Sequence, residues 1–170
     1  LLERTWDALQ RGQLGIPGDE VGEVVIGVGH SRGGQDLLLM ASGQIPNTLE
    51  FDGLLMLMPA VNVLEALPLV DLPTVVVVGS CDGDVGVAGG EYISSGLTTS
   101  RITPAVLLLL QGATHNATNS LLDPDRSSAR GPGCDAPMAP GAQRSLLAEV
   151  APLAALTMLG QPTSHWTGSI

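Results

Sequence analysis

The chain has 170 residues, of which 44% are hydrophobic and only 14% charged, which excludes intrinsic disorder, because a disordered chain carries dense charge and little apolar surface. Its seven basic residues are all Arg, against 17 Asp and Glu, and the formal net charge of −10 repels a phosphate backbone, so nucleic acid is not an expected partner. This length suits one domain, residues 1–170, with a core large enough to stand without metals.

No apolar run reaches the roughly 18 to 20 residues that cross a bilayer, so no membrane span is expected. The opening residues lack a basic start followed by a small-residue cleavage site, so they do not read as a signal peptide. The chain begins at Leu1 rather than Met and reads as part of something longer.

Leu1, Leu2, Trp6 and Leu9 fit an amphipathic helix ending near Gly12, and Pro17-Gly18 marks the turn after it. Val24 to Val28 is a continuous apolar run, as expected of a strand covered on both faces, and it stops at Gly29-His30-Ser31-Arg32-Gly33-Gly34. Asp36 to Ala41 then reads as a helix ending near Gly43. The pattern recurs: a strand at Leu54–Met58, a short helix at Val61–Leu67, a strand from Thr74 to Val78 ending at Gly79, and a helical stretch around Tyr92–Leu97. Ala105–Leu110 is a fourth strand, Asp123–Pro140 a long irregular loop, and Ala142–Leu159 the last helix. Uniformly apolar strands alternating with helices predict an α/β fold, a three-layer sandwich with a mostly parallel sheet.

Gly29-His30-Ser31-Arg32-Gly33 satisfies G-x-S-x-G directly after a buried strand and before a helix. Such a turn pushes the serine hydroxyl outward, and side chains at Gly29 and Gly33 are expected to collide with neighbouring backbone. A serine nucleophile needs a base and an orienting acid. His115 lies three residues past Gly112, beyond the fourth strand, and Asp82 three past Gly79, beyond the third, so both belong on the rim where parallel sheets bind ligands. Asp84 competes for the acid role, since Gly83 makes the loop pliable enough to present either carboxylate. A phosphate site at the same turn is disfavoured by the absence of Lys and of G-x-x-x-x-G-K-[ST].

The segments GHSRGG (residues 29–34), GSCDGDV (79–85) and GATHN (112–116) resemble the α/β-hydrolase superfamily. More narrowly they resemble the bacterial dienelactone-hydrolase and polyester-hydrolase-like serine esterases, over roughly residues 1–160. The resemblance implies a serine hydrolase of small-molecule or polymeric carboxylic esters, with Ser31, Asp82 and His115 as its triad and no cofactor. A G-x-x-D spacing from Gly79, common in that family, favours Asp82 over Asp84. The family has earlier strands, and a loop after one of them supplies one of two oxyanion-hole donors. This chain therefore reads as the fold lacking its N-terminal strands, with the Arg32 N–H as its one donor. Losing such a donor costs about 3 to 4 kcal/mol of transition-state stabilisation, which predicts an impaired catalyst, and the missing neighbour leaves the Val24–Val28 strand with an open edge. The short stretch from Met58 to Thr74 has room for one small helix, which predicts an open, lidless site.

Cys81 and Cys134 have no zinc-ligand spacing; a disulfide tying the long loop to the acid-bearing turn and two unrelated thiols are both open readings. A bridge favours a secreted or extracytoplasmic protein, free thiols a cytoplasmic one. His30 is read as a packing residue of the turn, His165 as an inert tail residue, and Arg32 either as a substrate-carboxylate contact or as a solvated side chain. Met56 and Met58 are read as core. Asn116-Ala117-Thr118 matches a glycosylation acceptor, but a glycan there would block His115.

Overall fold

A computed structural model describes residues 2–15, 17–20, 22–60, 70–98, 103, 105–123 and 130–161. Helix α1 spans Leu2–Gln10, strand β1 Ile26–His30, helix α2 Arg32–Ala41, strand β2 Gly53–Leu57 and strand β3 Thr74–Gly79. Helix α3 spans Gly86–Thr98, strand β4 Ala105–Leu110 and helix α4 Pro140–Met158, with short 3-10 turns at Gly18–Glu20 and Asn116–Thr118.

The four strands are parallel and lie in the order of the sequence. Because each crossover moves one place in the same direction and crossovers share one hand, the connecting helices fall on one face of the sheet. Leu37 and Leu38 of α2 and Ile93 of α3 accordingly pack with Leu54, Met56, Val76 and Val78. The opposite side chains of the same strands, including Leu55, Val75 and Val77, pack with Leu147, Val150, Ala154 and Met158 of α4. This period-two division makes three layers and explains why β2 and β3 are apolar on both faces, with Thr74 at the start of β3 the exception.

Several expected boundaries move for physical reasons. The first strand is Ile26–His30, not Val24–Val28, because pairing begins at Ile26 opposite Gly53 and continues through Gly29 opposite Met56 and His30 opposite Leu57. Nor is it covered on both faces. It is an edge strand, and Val28 is 58% exposed. β4 is the other edge, with Leu107 and Leu109 part-exposed. The second strand stops at Leu57, and Met58 turns the chain with φ of 44°.

Helix α3 begins at Gly86, six residues before Tyr92. Three glycines among its first five residues weaken the helical signal, yet Gly90 sits so close to β3 that an added Cβ would collide with Val78 Cγ1. Tertiary packing chooses the residue there, not propensity. Helix α4 begins at Pro140, a residue whose missing N–H is harmless in a first turn. The expected helix at Val61–Leu67 and His165 lie outside the described residues. Among the described residues no helix is long and apolar enough to cross a membrane.

Candidate active site

At the carboxyl end of β1 the chain turns sharply into α2. Ser31 takes φ 56° and ψ −124°, a conformation that costs a non-glycine residue on the order of 1 to 3 kcal/mol and persists only where the surroundings enforce it. They do so through both of its peptide groups. The Ser31 N–H donates to the Leu57 carbonyl at 3.0 Å, and its own carbonyl accepts from Gly34 N–H at 3.1 Å and Ala60 N–H at 3.0 Å. The half-buried Ser31 is thereby fixed between the end of β2 and the first turn of α2. Arg32, exposed, opens that helix, so its N–H is among the donors that a helix start leaves free of helical partners.

The glycine constraint is not distributed as expected. A Cβ on Gly29 would lie 2.4 Å from the Gly33 carbonyl oxygen, and one on Gly34 would meet Pro59 Cβ at 3.0 Å, whereas a Cβ on Gly33 meets nothing within 4 Å. Close approach therefore demands glycine at 29 and tightens 34, and leaves Gly33 sterically free.

Asp82 follows β3 on a turn whose backbone it organises itself. Its Oδ1 accepts the N–H groups of Asp84 at 2.9 Å and Val85 at 3.0 Å, while its Oδ2 lies 2.8 Å from His115 Nδ1. The carboxylate side chain is wholly buried and the imidazole nearly so. Burial alone would push Asp82 upward, but the hydrogen bond from His115, the Val85 and Asp84 N–H groups and the charge of His115 outweigh it and hold the carboxyl below its ordinary pKa.

His115 is positioned by a residue absent from the sequence-based candidates. Gln143 on α4 is fully buried; its Oε1 accepts the Thr114 N–H at 2.9 Å and its Nε2 donates to the Thr114 carbonyl at 2.8 Å. The main-chain N–H and carbonyl of Thr114, the residue before His115, are thus both held by one side chain. The signal was a lone polar residue on the stripe of α4 that otherwise carries Leu147, Val150, Ala154 and Met158.

Asp84 is also at the site, on the other side of the ring: its Oδ2 lies 3.5 Å from His115 Nε2, and its side chain is 52% exposed. The two candidate acids therefore occupy opposite nitrogens of one imidazole. Among the described residues no hydrogen bond joins the Ser31 hydroxyl to His115. His30, the residue before Ser31, packs on His115: its ring centroid lies 4.5 Å from that of His115 at an interplanar angle of 40°. Burial, then the charge of His115, lower the His30 pKa, and hydrogen bonding to the His115 main chain and the charges of Asp82 and Asp84 only partly restore it.

The long loop is fastened to the acid turn. Cys81 and Cys134 form a disulfide, Gly131 N–H donates to the Cys81 carbonyl at 2.8 Å, and the main chains of Arg130 and Asp82 pair as an isolated antiparallel β-bridge while the Arg130 guanidinium donates to the Cys134 carbonyl. Asn116 is buried and its Nδ2 donates to the Asp123 carbonyl at 2.7 Å, so the nitrogen of the glycosylation motif is already engaged. Among the described residues no group of three or more His, Cys, Asp or Glu is placed to hold a metal ion.

No protein-family model and no curated protein sequence matches this chain. Solved structures do. The α/β hydrolase MGS-M1, from a Medee basin deep-sea metagenome library, superposes with a TM-score of 0.54 at 15% identity, over 89% of this chain and 61% of that one. The apo form of Thermogutta terrifontis esterase 2 gives 0.51 at 14%, over 91% and 63%. The fold is therefore that of the α/β hydrolases, and the chain spans about three fifths of the length of these structures.

Two measurements test the site. Gly29→Ala should cost about 3 kcal/mol or more in denaturant unfolding and Gly33→Ala less than about 1 kcal/mol; equal costs contradict the placement of the close approach. The second uses pH. A histidine with a lowered folded pKa binds fewer protons than the unfolded chain between that pKa and about 6.5, so its contribution to stability is complete above about 6.5 and is lost as pH falls below it. Wild-type Tm should drop more between pH 7.5 and 5.5 than that of His30→Gln, and parallel drops would contradict the assignment.

Proposed function

We propose that the chain is a serine hydrolase of carboxylic esters that works through an acyl-enzyme on Ser31. The observation that carries this reading is the buried 2.8 Å contact between His115 Nδ1 and Asp82 Oδ2, and a serine held in a strained strand-to-helix turn supports it. Asp82 would fix the imidazole with its proton on Nδ1 and balance the charge it gains, leaving Nε2 to act as base and then acid. The Ser31 hydroxyl adds to the ester carbonyl as its proton passes to Nε2, the C–O bond to the alcohol breaks, and Nε2 returns the proton to the leaving oxygen. Water then repeats the sequence against the acyl group. The Arg32 N–H at the start of α2 would face the developing oxyanion.

The choice of ester over other acyl groups rests on the narrower resemblance to dienelactone-hydrolase and polyester-hydrolase-like enzymes, and on the description of one structural neighbour as an esterase. The half-buried Ser31 and exposed Asp84 suit an open site for exposed or polymeric esters. The disulfide supports a secreted or extracytoplasmic protein.

One contact favours a second reading, an inert relative: Asp84 occupies the nitrogen that Ser31 would need. A fluorophosphonate probe separates the two, because it labels only an activated serine. The hydrolase reading predicts labelling at Ser31 and loss of p-nitrophenyl ester turnover by about 10³-fold or more in Ser31→Ala. No labelling, or a variant within about ten-fold of wild type, would overturn it.

A further inference from the structure

We propose that Asp84 is a specificity-determining residue that makes this site prefer esters of cationic alcohols to esters of anionic ones. The inference rests on the hydrolase reading above and adds to it the charge of the preferred leaving group. Asp84 Oδ2 lies 3.5 Å from His115 Nε2, the atom that must hand its proton to the departing oxygen.

Proton transfer brings that oxygen to about 3 Å from Nε2. The alcohol therefore leaves from a point within about 6.5 Å of the Asp84 carboxylate, and its substituents extend from there toward the exposed rim on which Asp84 stands. Asp82 lies behind the imidazole at Nδ1 with its side chain wholly buried. Asp84 is thus the carboxylate of the pair that a leaving group meets. It is fixed in that place by the turn that Asp82 Oδ1 builds, with the Asp84 and Val85 N–H groups as its donors. A cationic group on the alcohol would also offer Asp84 a partner other than the imidazole and so free Nε2 for Ser31.

At the water-like dielectric of an exposed side chain, a unit charge about 6 Å away changes a rate roughly three-fold in either direction, hence about ten-fold between cation and anion. Salt reduces this, so low ionic strength is required. Three acetate esters test it: choline acetate, its neutral isostere 3,3-dimethylbutyl acetate, and 2-sulfoethyl acetate. All three yield the same acetyl-enzyme, so differences in kcat/KM report acylation, the step in which the alcohol is present. Arg32 and every charged residue other than Asp84 are shared by wild type and variant and cancel from their comparison.

The expected result is a choline-to-sulfoethyl ratio of kcat/KM that falls about ten-fold in Asp84→Asn and further in Asp84→Lys. A ratio unchanged within two-fold, with the neutral ester still hydrolysed, would overturn the role of Asp84 and leave the hydrolase standing. Failure of wild type to hydrolyse any of the three, together with no fluorophosphonate labelling, would instead remove the hydrolase reading and this inference with it.

Discussion

The site depends on one contact, the hydrogen bond between His115 and Asp82, and much of the surrounding architecture serves to make it possible. The two residues are 33 positions apart and meet because β3 and β4 are neighbours in register, with Gly79 opposite Leu110. Beyond those strand ends each partner is held separately. Gln143 on α4 binds both the main-chain N–H and the carbonyl of Thr114, while the disulfide and the Gly131 hydrogen bond brace the acid turn from the loop side. Ser80 Oγ also accepts the Gly112 N–H at 2.8 Å and ties the two turns to each other. A buried carboxylate is tolerable only when fully hydrogen-bonded, and Asp82 meets that condition with three partners.

The same arrangement sets a competition for the second imidazole nitrogen. The turn that satisfies Asp82 Oδ1 also delivers Asp84 to Nε2, and the strain at Ser31 is maintained by hydrogen bonds to Leu57, Gly34 and Ala60 rather than by any bond of its hydroxyl to His115. Positioning of the main chain and engagement of the hydroxyl are therefore separate matters here. His30, packed against His115, must stay uncharged for that contact to be comfortable, and its lowered pKa fits the requirement.

The sequence disclosed whatever depends on local pattern. Continuous Val and Leu runs announce buried parallel strands, and G-x-S-x-G after such a run announces the turn at Ser31. Counting from strand-ending glycines picked out Asp82 and His115, which the structure brings to 2.8 Å. What stayed hidden depends on packing between distant elements. The open edge of the first strand was expected, but nothing local says that Val28 is exposed, that Gly33 has free space while Gly29 has none, or that Met58 must take a positive φ. Gln143 was not singled out, although its place on the stripe with Leu147, Val150 and Ala154 is visible in the spacing. Asp82 lies at Nδ1 of His115 and Asp84 at Nε2, and two residues of separation cannot reveal that division.

The most direct measurement is the protonation pattern of the His115 ring, read by nitrogen-15 NMR of selectively labelled protein near neutral pH. The account predicts a proton on Nδ1, shifted far downfield and slow to exchange because it is buried between imidazole and carboxylate, and lost when Asp82 becomes Asn. A ring protonated on Nε2 alone, with a bare Nδ1 indifferent to residue 82, would contradict it.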